Sequence, residues 1–99
     1  MRPIHLAQLG KERPVLILTR EIVLPYLTRV TVAPITTTVR GLSTEVPVGA
    51  VNGLDHESVV SCDNILTVPT STLGRRIGYL QPSQELGLAE SIRAAFDLV

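Results

Sequence analysis

The sequence predicts a mainly β protein that is closed by one C-terminal helix, in a single domain spanning residues 1–99. Short apolar runs recur between turn residues along most of the chain, which is typical of a small, strongly curved β-sheet or barrel. From Pro82 onward, apolar residues recur instead at spacings of three and four, which predicts a helix with one buried face. At 99 residues, the chain is long enough for one hydrophobic core and too short for two.

The apolar runs locate the individual strands. We predict strands over residues 3–9, 14–19, 29–38, 44–48 and 58–68. The run PVLILT is continuous and rich in branched residues, so we expect its strand to be buried on both faces. Pro34 marks a bulge, a bend or an edge position, because proline cannot donate to a ladder. The Asn-Gly pair in GAVNGLD (49–55) predicts a loop, and TSTLGRR (70–76) predicts a short helical turn.

The composition limits the kinds of site that the chain can hold. Cys62 is the single cysteine, which excludes an intrachain disulfide framework and a multi-cysteine zinc site. His5 and His56 lack the spacing of paired metal ligands, so we expect no metal site and no cofactor. No leader peptide is visible at Met1, and no apolar run approaches the ~18 residues that a membrane span needs. We therefore expect a cytoplasmic protein.

The formal net charge of zero hides an uneven distribution along the chain. Residues 1–44 contain six basic and two acidic side chains, a net charge of +4, whereas residues 45–99 contain three basic and seven acidic ones, a net charge of −4. Arginine, whose planar fork suits phosphate, supplies eight of the nine basic residues. Composition alone favours ordinary surface charges over an anion-binding face. Only three residues are aromatic, which argues against base stacking as the main route to a nucleic acid.

Arg13 and the threonines at 36–38 are the best candidates for chemistry. Arg13 immediately precedes the buried strand, so its base is anchored while its head projects. A guanidinium beside a neutral hydroxyl donor suits the equatorial oxygens of a phosphorane-like transition state. Alone, this signal is weak, because threonine is an ordinary strand residue. Strand alternation also allows only one of each adjacent pair of threonines to face a groove.

Four segments, in this order and spacing, closely resemble the MazF/PemK family of toxin endoribonucleases, and in particular its actinobacterial, mycobacterial-type members. They are GKERPVLIL, VAPITTTVRGLSTEVPV, GLDHESVVSCDNILTV and LGRRIGYLQP, and together they cover nearly all of the chain. The resemblance implies an SH3-like barrel, a homodimer and an RNA groove around the dimer interface. It also implies metal-independent cleavage of single-stranded RNA, and neutralisation by a cognate MazE-type antitoxin whose extended tail occupies the groove.

The resemblance also assigns roles to individual residues. It places the catalytic arginine on Arg13 and the catalytic strand-end threonine on Thr36. Asp63 and Asn64 take the positions of an acid–glutamine pair that lines the family's groove, with asparagine replacing the longer glutamine. The remaining candidate RNA contacts are Arg20, Thr37, Arg40 and Ser61.

The chain departs from the family pattern in two places. The family usually opens with an Arg-Gly-Asp-aliphatic-Trp strand, whereas this chain has Arg2-Pro3-Ile4-His5. Only residues 10–12 separate the first strand from Arg13, whereas relatives have a longer loop that helps to cover the groove. The pair Arg75-Arg76 is interpreted as a surface or antitoxin-facing pair.

Two other functions are compatible with the fold class. The first is a non-catalytic poison of DNA gyrase, because CcdB toxins share the fold. Those toxins act through a C-terminal tryptophan, whereas this chain has no tryptophan and ends in Asp97-Leu98-Val99. The second is a barrel that only binds protein partners, which predicts no cleavage of RNA.

Overall fold

Seven antiparallel strands and one helix make up the fold. The computed structural model describes residues 1–99. The strands are β1 (Arg2–Leu9), β2 (Lys11–Ile17), β3 (Arg29–Thr36), β4 (Glu45–Val48), β5 (Ser58–Ser61), β6 (Leu66–Pro69) and β7 (Leu73–Leu80), followed by helix α1 (Glu85–Ala95). The hydrogen-bonded order is β4-β5-β3-β2-β1-β7, and β6 also pairs with β3. The predicted mainly β class with a C-terminal helix is confirmed.

Strand β3 changes partners at Pro34. Residues 29–32 pair with β6, whereas Ile35 and Thr36 pair with β5. Pro34 lies between the two pairings, where its missing N–H suits a break in the ladder. Of the bulge, bend or edge position that Pro34 predicts, the structure shows an interruption on one side of β3, where the β6 ladder ends at Val32 and the β5 ladder begins at Ile35.

Alternation along β2 divides the core into two layers. Leu16 belongs to the layer beneath α1, whereas Val15 and Ile17 belong to the layer on the other side of the sheet. All three side chains have 0% exposure, so the prediction of a strand buried on both faces is confirmed. Helix α1 covers the first layer with Leu88, and Ile92 packs against the same layer. Each such burial contributes about 1.5–3 kcal/mol.

Four predicted elements need correction. The predicted strand over 14–19 is β2 at Lys11–Ile17, so Arg13 lies within the strand rather than before it. The predicted strand over 58–68 is two strands, because a 3₁₀ turn at Cys62–Asn64 separates β5 from β6. The predicted strand over 29–38 ends at Thr36. Residues 70–76 hold the predicted helical turn only at Thr70–Thr72, after which β7 begins. Two glycines and two arginines in LGRRIGYL interrupt the apolar alternation, so pairing with β1, rather than local pattern, makes this strand.

A buried polar network fastens the 49–55 loop to the sheet. The Asn52 side chain, 1% exposed, accepts a hydrogen bond from the Gly49 N–H (3.0 Å) and donates to the Tyr79 carbonyl (2.9 Å) and Gln84 Oε1 (2.7 Å). Gly53 has a φ of +86°, which favours glycine, so the loop predicted from the Asn-Gly pair is confirmed. No helix in the structure has the length and hydropathy to cross a membrane.

Candidate functional site

The register of β2 against β3 brings Arg13 and Thr36 together. Val15 lies opposite Pro34, and Leu16 opposite Ala33. The same antiparallel register, continued by two residues, places Arg13 opposite Thr36. Both residues line one open cavity of about 490 Å³. The two residues predicted to be catalytic therefore share a site.

Four of the six predicted RNA contacts line the same cavity. These four are Arg40, Ser61, Asp63 and Asn64. The other two lie elsewhere: Arg20 lines a cavity beside Arg2, and Thr37 lines one beside Arg75. Thr38, which was not selected from the sequence, lines the Arg13 cavity in place of Thr37. The period of two in an extended chain, applied to Thr36, could have identified Thr38.

The Thr36 hydroxyl is held in place while keeping a proton to donate. Its Oγ1 accepts a hydrogen bond from the Thr38 N–H at 3.1 Å. An oxygen that accepts this bond can still donate its own hydrogen to a ligand. Because β3 ends at Thr36, the chain turns there and brings the Thr38 amide back to the hydroxyl.

The Arg13 guanidinium is not neutralised by a carboxylate. The structure contains one ion pair, which joins Arg2 to Glu85, so neither Arg13 nor Arg40 has an acidic partner. Arg13 is fixed at its base by β2, where it pairs with Ala7 of β1. An unpaired, forked donor on a rigid strand is suited to bind an anion such as phosphate.

The 3₁₀ turn after β5 supplies the polar end of the cavity. Asp63 Oδ2 accepts a hydrogen bond from Thr44 Oγ1 at 2.6 Å, and Asn64 Nδ2 donates to Ser61 Oγ at 2.8 Å. Had this segment continued as a strand, Asp63 and Asn64 would point to opposite faces of the sheet. The turn instead allows both side chains to line one cavity.

Glu45, the first residue of β4, holds the loop that carries Arg40. Its carboxylate accepts hydrogen bonds from the Arg40 N–H (3.1 Å to Oε1) and the Leu42 N–H (3.1 Å). Glu45, Arg40 and Leu42 all line the cavity. Glu45 was not predicted from the sequence, because its carboxylate and these amides become close only once the 37–44 loop folds back. The cavity thus combines two free guanidinium groups with the carboxylates of Glu45 and Asp63.

Cys62 does not take part in the chemistry of the cavity. Its side chain is buried, and burial, assisted by the nearby charge of Asp63, raises the pKa of the thiol to about 11. A protonated thiol is a poor nucleophile. Cys62 is therefore a residue of the hydrophobic core. His, Cys, Asp and Glu side chains form no group of three or more that could hold a metal ion.

A known toxin family has the same sequence pattern. The profile of the PemK-like, MazF-like toxins of type II toxin–antitoxin systems matches residues 3–96. The chain belongs to the PemK/MazF family. Among its PemK/MazF relatives, endoribonuclease MazF3 of Mycobacterium tuberculosis is 74% identical over 98 residues, covering 99% of this chain and 95% of the relative. The probable endoribonuclease MazF2 of the same organism is 39% identical over 87 residues, covering 87% and 85%.

Solved PemK/MazF structures share the fold. The Mycobacterium tuberculosis toxin MazF-mt6 superposes with a TM-score of 0.97 at 72% identity, covering 99% of each chain. A mycobacterial endoribonuclease in complex with its cognate antitoxin gives a TM-score of 0.87 at 26% identity, covering 98% of this chain and 93% of that one. The SH3-like, MazF/PemK-type fold expected from the sequence resemblance is confirmed.

Proposed function

We propose that this PemK/MazF toxin is an endoribonuclease that cleaves single-stranded RNA in the Arg13 cavity, using the substrate's own 2′-hydroxyl and no metal ion. One observation carries the proposal: a guanidinium without an acidic partner and a fixed hydroxyl donor, Thr36, line the same cavity. Family membership supports it, since the relatives at 74% and 39% identity are endoribonucleases by name. Such a toxin inhibits translation and growth by cutting messenger RNA. Ribosomal and transfer RNA are further candidate substrates, and their cleavage rates can be compared with that of messenger RNA.

The reaction follows from the chemistry of RNA. The 2′-hydroxyl loses its proton to solvent as its oxygen attacks the adjacent phosphorus. The bond from phosphorus to the 5′-oxygen breaks, and the leaving oxygen takes up a proton from solvent, so no net proton is consumed. The products are a 2′,3′-cyclic phosphate, which can open to a 3′-phosphate, and a 5′-hydroxyl. Because the nucleophile belongs to the substrate, the protein mainly orients the RNA and neutralises developing charge.

Arg13 and Thr36 divide the stabilisation of the transition state. Arg13 donates to the phosphoryl oxygens as negative charge builds on them. It is a poor proton acceptor, because a guanidinium keeps its proton in proteins. Thr36 donates its hydroxyl hydrogen to a non-bridging oxygen, and the Thr38 amide holds that hydroxyl in position.

The nucleotides next to the scissile bond contact the other polar residues of the cavity, which are Asp63, Asn64, Ser61 and Arg40. Carboxylate and amide groups can form hydrogen bonds with the Watson–Crick edges of unstacked bases. Proteins usually recognise the sequence of a single-stranded RNA in this way. The charge of Arg40 suits a backbone phosphate. Arg20 and Thr37 lie outside this cavity, so they contact RNA only beyond the scissile nucleotides.

The family also suggests the macromolecular partners. A structural relative is solved with its cognate antitoxin. We expect a MazE-type antitoxin to place an extended tail in the Arg13 groove of this chain and to exclude RNA. We also expect a homodimer, in which a second copy completes the groove, and a cytoplasmic location, where messenger RNA is translated.

Cleavage of a long single-stranded RNA in EDTA, with mapping of the product ends, tests the reaction. Wild-type protein should yield 5′-hydroxyl ends, and Arg13→Ala should lower kcat by at least ~10²-fold, the usual cost of losing one donor to a developing oxyanion. The matched control is Arg29→Ala, because Arg29 is exposed and donates to the Thr67 carbonyl, outside the cavity. This control should leave the rate unchanged.

The same assay separates the alternatives. A wild-type protein that blocks growth while leaving RNA intact would indicate a non-catalytic toxin of the gyrase-poison type. A protein that neither cuts RNA nor blocks growth would indicate a barrel that only binds partners. Activity that disappears in EDTA and returns with added metal would contradict the metal-independent mechanism.

A further inference from the structure

A second cavity, of about 550 Å³, adjoins the Arg13 cavity, in which we propose that RNA is cleaved. The two share the segment of residues 36–38 as a wall: Thr36 and Thr38 line the first, and Thr37 lines the second. On β2, likewise, Arg13 lines the first cavity and its neighbour Pro14 lines the second. The second cavity therefore begins one residue away from each residue that we propose to be catalytic.

The side chains of this cavity favour an anion. Arg75 and Arg76 of β7 line it together with His56, Ser58 and the hydroxyl-bearing Thr37. Since the structure's ion pair joins Arg2 to Glu85, neither Arg75 nor Arg76 has a carboxylate partner.

One acidic side chain, Asp55, lines the cavity against these two arginines. The Arg76 guanidinium lies 4.9 Å from the centre of the Tyr79 ring, and this cation–π contact orients it. Two free guanidinium groups and the Thr37 hydroxyl, set against one carboxylate, make a suitable site for a phosphate, whereas the Ser58 hydroxyl already donates to the His56 carbonyl.

We propose that this cavity binds a backbone phosphate of the RNA that flanks the scissile phosphate. The inference rests on the proposed endoribonuclease function and adds a binding site to it. An RNA strand whose scissile phosphate lies between Arg13 and Thr36 passes over the 36–38 segment when it continues toward β7. Arg75 and Arg76 then hold the next part of its backbone and contribute to affinity rather than to the chemical step.

An acidic stretch of an antitoxin is the other occupant that the arginines could accept. The RNA backbone is favoured because the lining of this cavity begins at the chain neighbours of Arg13 and Thr36. Alternation turns those neighbours toward the other face of the sheet, so the strand must cross the 36–38 segment to reach it. A strand held by both cavities also uses the otherwise unpaired Arg75 and Arg76 during catalysis.

The test compares wild-type protein with the double variant Arg75→Gln, Arg76→Gln on an RNA oligonucleotide that extends several nucleotides beyond a mapped cleavage site. We expect KM to rise about tenfold with kcat unchanged, because a phosphate contact that does not change in the transition state affects binding alone. The slope of log(kcat/KM) against log[salt] should fall in magnitude by about 0.7 for each phosphate that the variant no longer binds. Arg93→Gln, which removes the same kind of charge from the exposed face of α1, should reproduce neither change.

Neutral methylphosphonates, placed one at a time along the RNA, locate the phosphate. At one flanking position, the substitution should raise KM for wild-type protein and have no further effect on the double variant, as expected for two members of one contact. A melting temperature equal to that of wild type shows that the variant is folded.

Three results would overturn the inference. They are an unchanged KM and salt slope in the double variant, an equal effect in Arg93→Gln, or weaker antitoxin binding with unchanged RNA kinetics. The last result would assign the cavity to the antitoxin. Failure of the wild-type protein to cut RNA would contradict the proposed function as well, whereas an active wild type with an unaffected double variant contradicts the flanking site alone.

Discussion

Several residues that line the Arg13 cavity form hydrogen bonds with residues no more than five positions away along the chain. Thr38 donates to Thr36 through its amide, and Asn64 donates to Ser61. Glu45 accepts from the amides of Arg40 and Leu42. Donors fixed before the substrate arrives need no reorganisation during the reaction. At the scale of residues, the cavity is therefore preorganised mainly by short-range hydrogen bonds.

Glu45 gives a direct test of this preorganisation. Glu45→Ala removes the acceptor that closes the 37–44 loop, so Arg40 should lose its position and kcat/KM should fall about ten- to a hundredfold. Glu45→Gln keeps one acceptor oxygen and should retain more activity. Glu57→Ala, which removes an exposed acid outside the cavity, should match wild type. Wild-type kinetics in Glu45→Ala would show that the loop is positioned by other contacts.

At the scale of elements, β7 and the 49–55 loop are fitted to each other through two glycines. A Cβ on Gly78 would lie 1.9 Å from the Asn52 carbonyl oxygen, and one on Gly53 would lie 2.0 Å from the Ile77 carbonyl oxygen. No real Cβ contact is this short, so only glycine allows the two backbones to approach. The close approach also positions Asn52, whose side chain links the loop to the segment before α1.

Gly78→Ala should therefore destabilise the protein by more than about 3 kcal/mol, because the new Cβ meets backbone atoms of Asn52 and Gly53, which cannot move aside as a flexible side chain could. Gly87→Ala is the matched control, since a Cβ there meets nothing within 4 Å. In the helix, this control should be neutral or stabilising by up to about 1 kcal/mol. Urea unfolding measures both changes. Equal stabilities of the two variants would contradict the close packing of β7 on the loop.

An element could be predicted from the sequence where its own residues carry a clear apolar pattern. The apolar runs of β1, β2 and β3 were sufficient to predict these strands, because each buries apolar side chains in the core. Strand β7 was not predicted, since Gly74, Arg75 and Arg76 interrupt its pattern and its ladder depends on β1. The break at Cys62–Asn64 was also missed, although the turn-favouring pair Asp63-Asn64 in SVVSCDNILTV is a local signal that could have marked it.

At the scale of the whole molecule, the beginning and the end of the chain are joined by an ion pair. Arg2 donates to both carboxylate oxygens of Glu85, at 3.0 and 2.9 Å, and also to the Leu18 carbonyl. The hydrogen bond from Arg2 holds the pKa of Glu85 below its usual value, although partial burial opposes this shift. The pair fastens the first turn of α1 to β1, over the core layer that the helix covers.

This ion pair should make stability depend on pH. Because the folded pKa of Glu85 lies below the unfolded value of about 4.3, the contribution is present above that pH and is lost as the pH falls through the folded pKa. Glu85→Gln should lower the free energy of unfolding at pH 7 by a few tenths to about 1 kcal/mol, because the pair is partly exposed. The difference from wild type should shrink as the pH falls below the unfolded value and disappear below the folded pKa of Glu85.

Glu90→Gln is the matched control, since Glu90 is an exposed acid of the same helix with no ion pair. It should show no comparable dependence on pH. Urea unfolding over a series of pH values gives the comparison. A Glu85→Gln deficit that stays constant as the pH falls from 7 would assign the effect to packing rather than to charge.

The sequence by itself determined the fold class, most of the strands, the helix and the pairing of Arg13 with Thr36, which rests on segments that resemble the family. Apolar periodicity suffices for the fold class, the strands and the helix, because it acts within a few residues, whereas Arg13 and Thr36 are far apart in the chain and were paired only through the resemblance. Only the tertiary structure decided that Thr38 rather than Thr37 lines the Arg13 cavity, and that Glu45 holds the loop beside it. It also decided that Arg75 and Arg76 line a neighbouring cavity together with His56. Each of these depends on where a strand ends, how a loop returns or how the sheet curls, and those contacts form between residues that the chain order keeps apart.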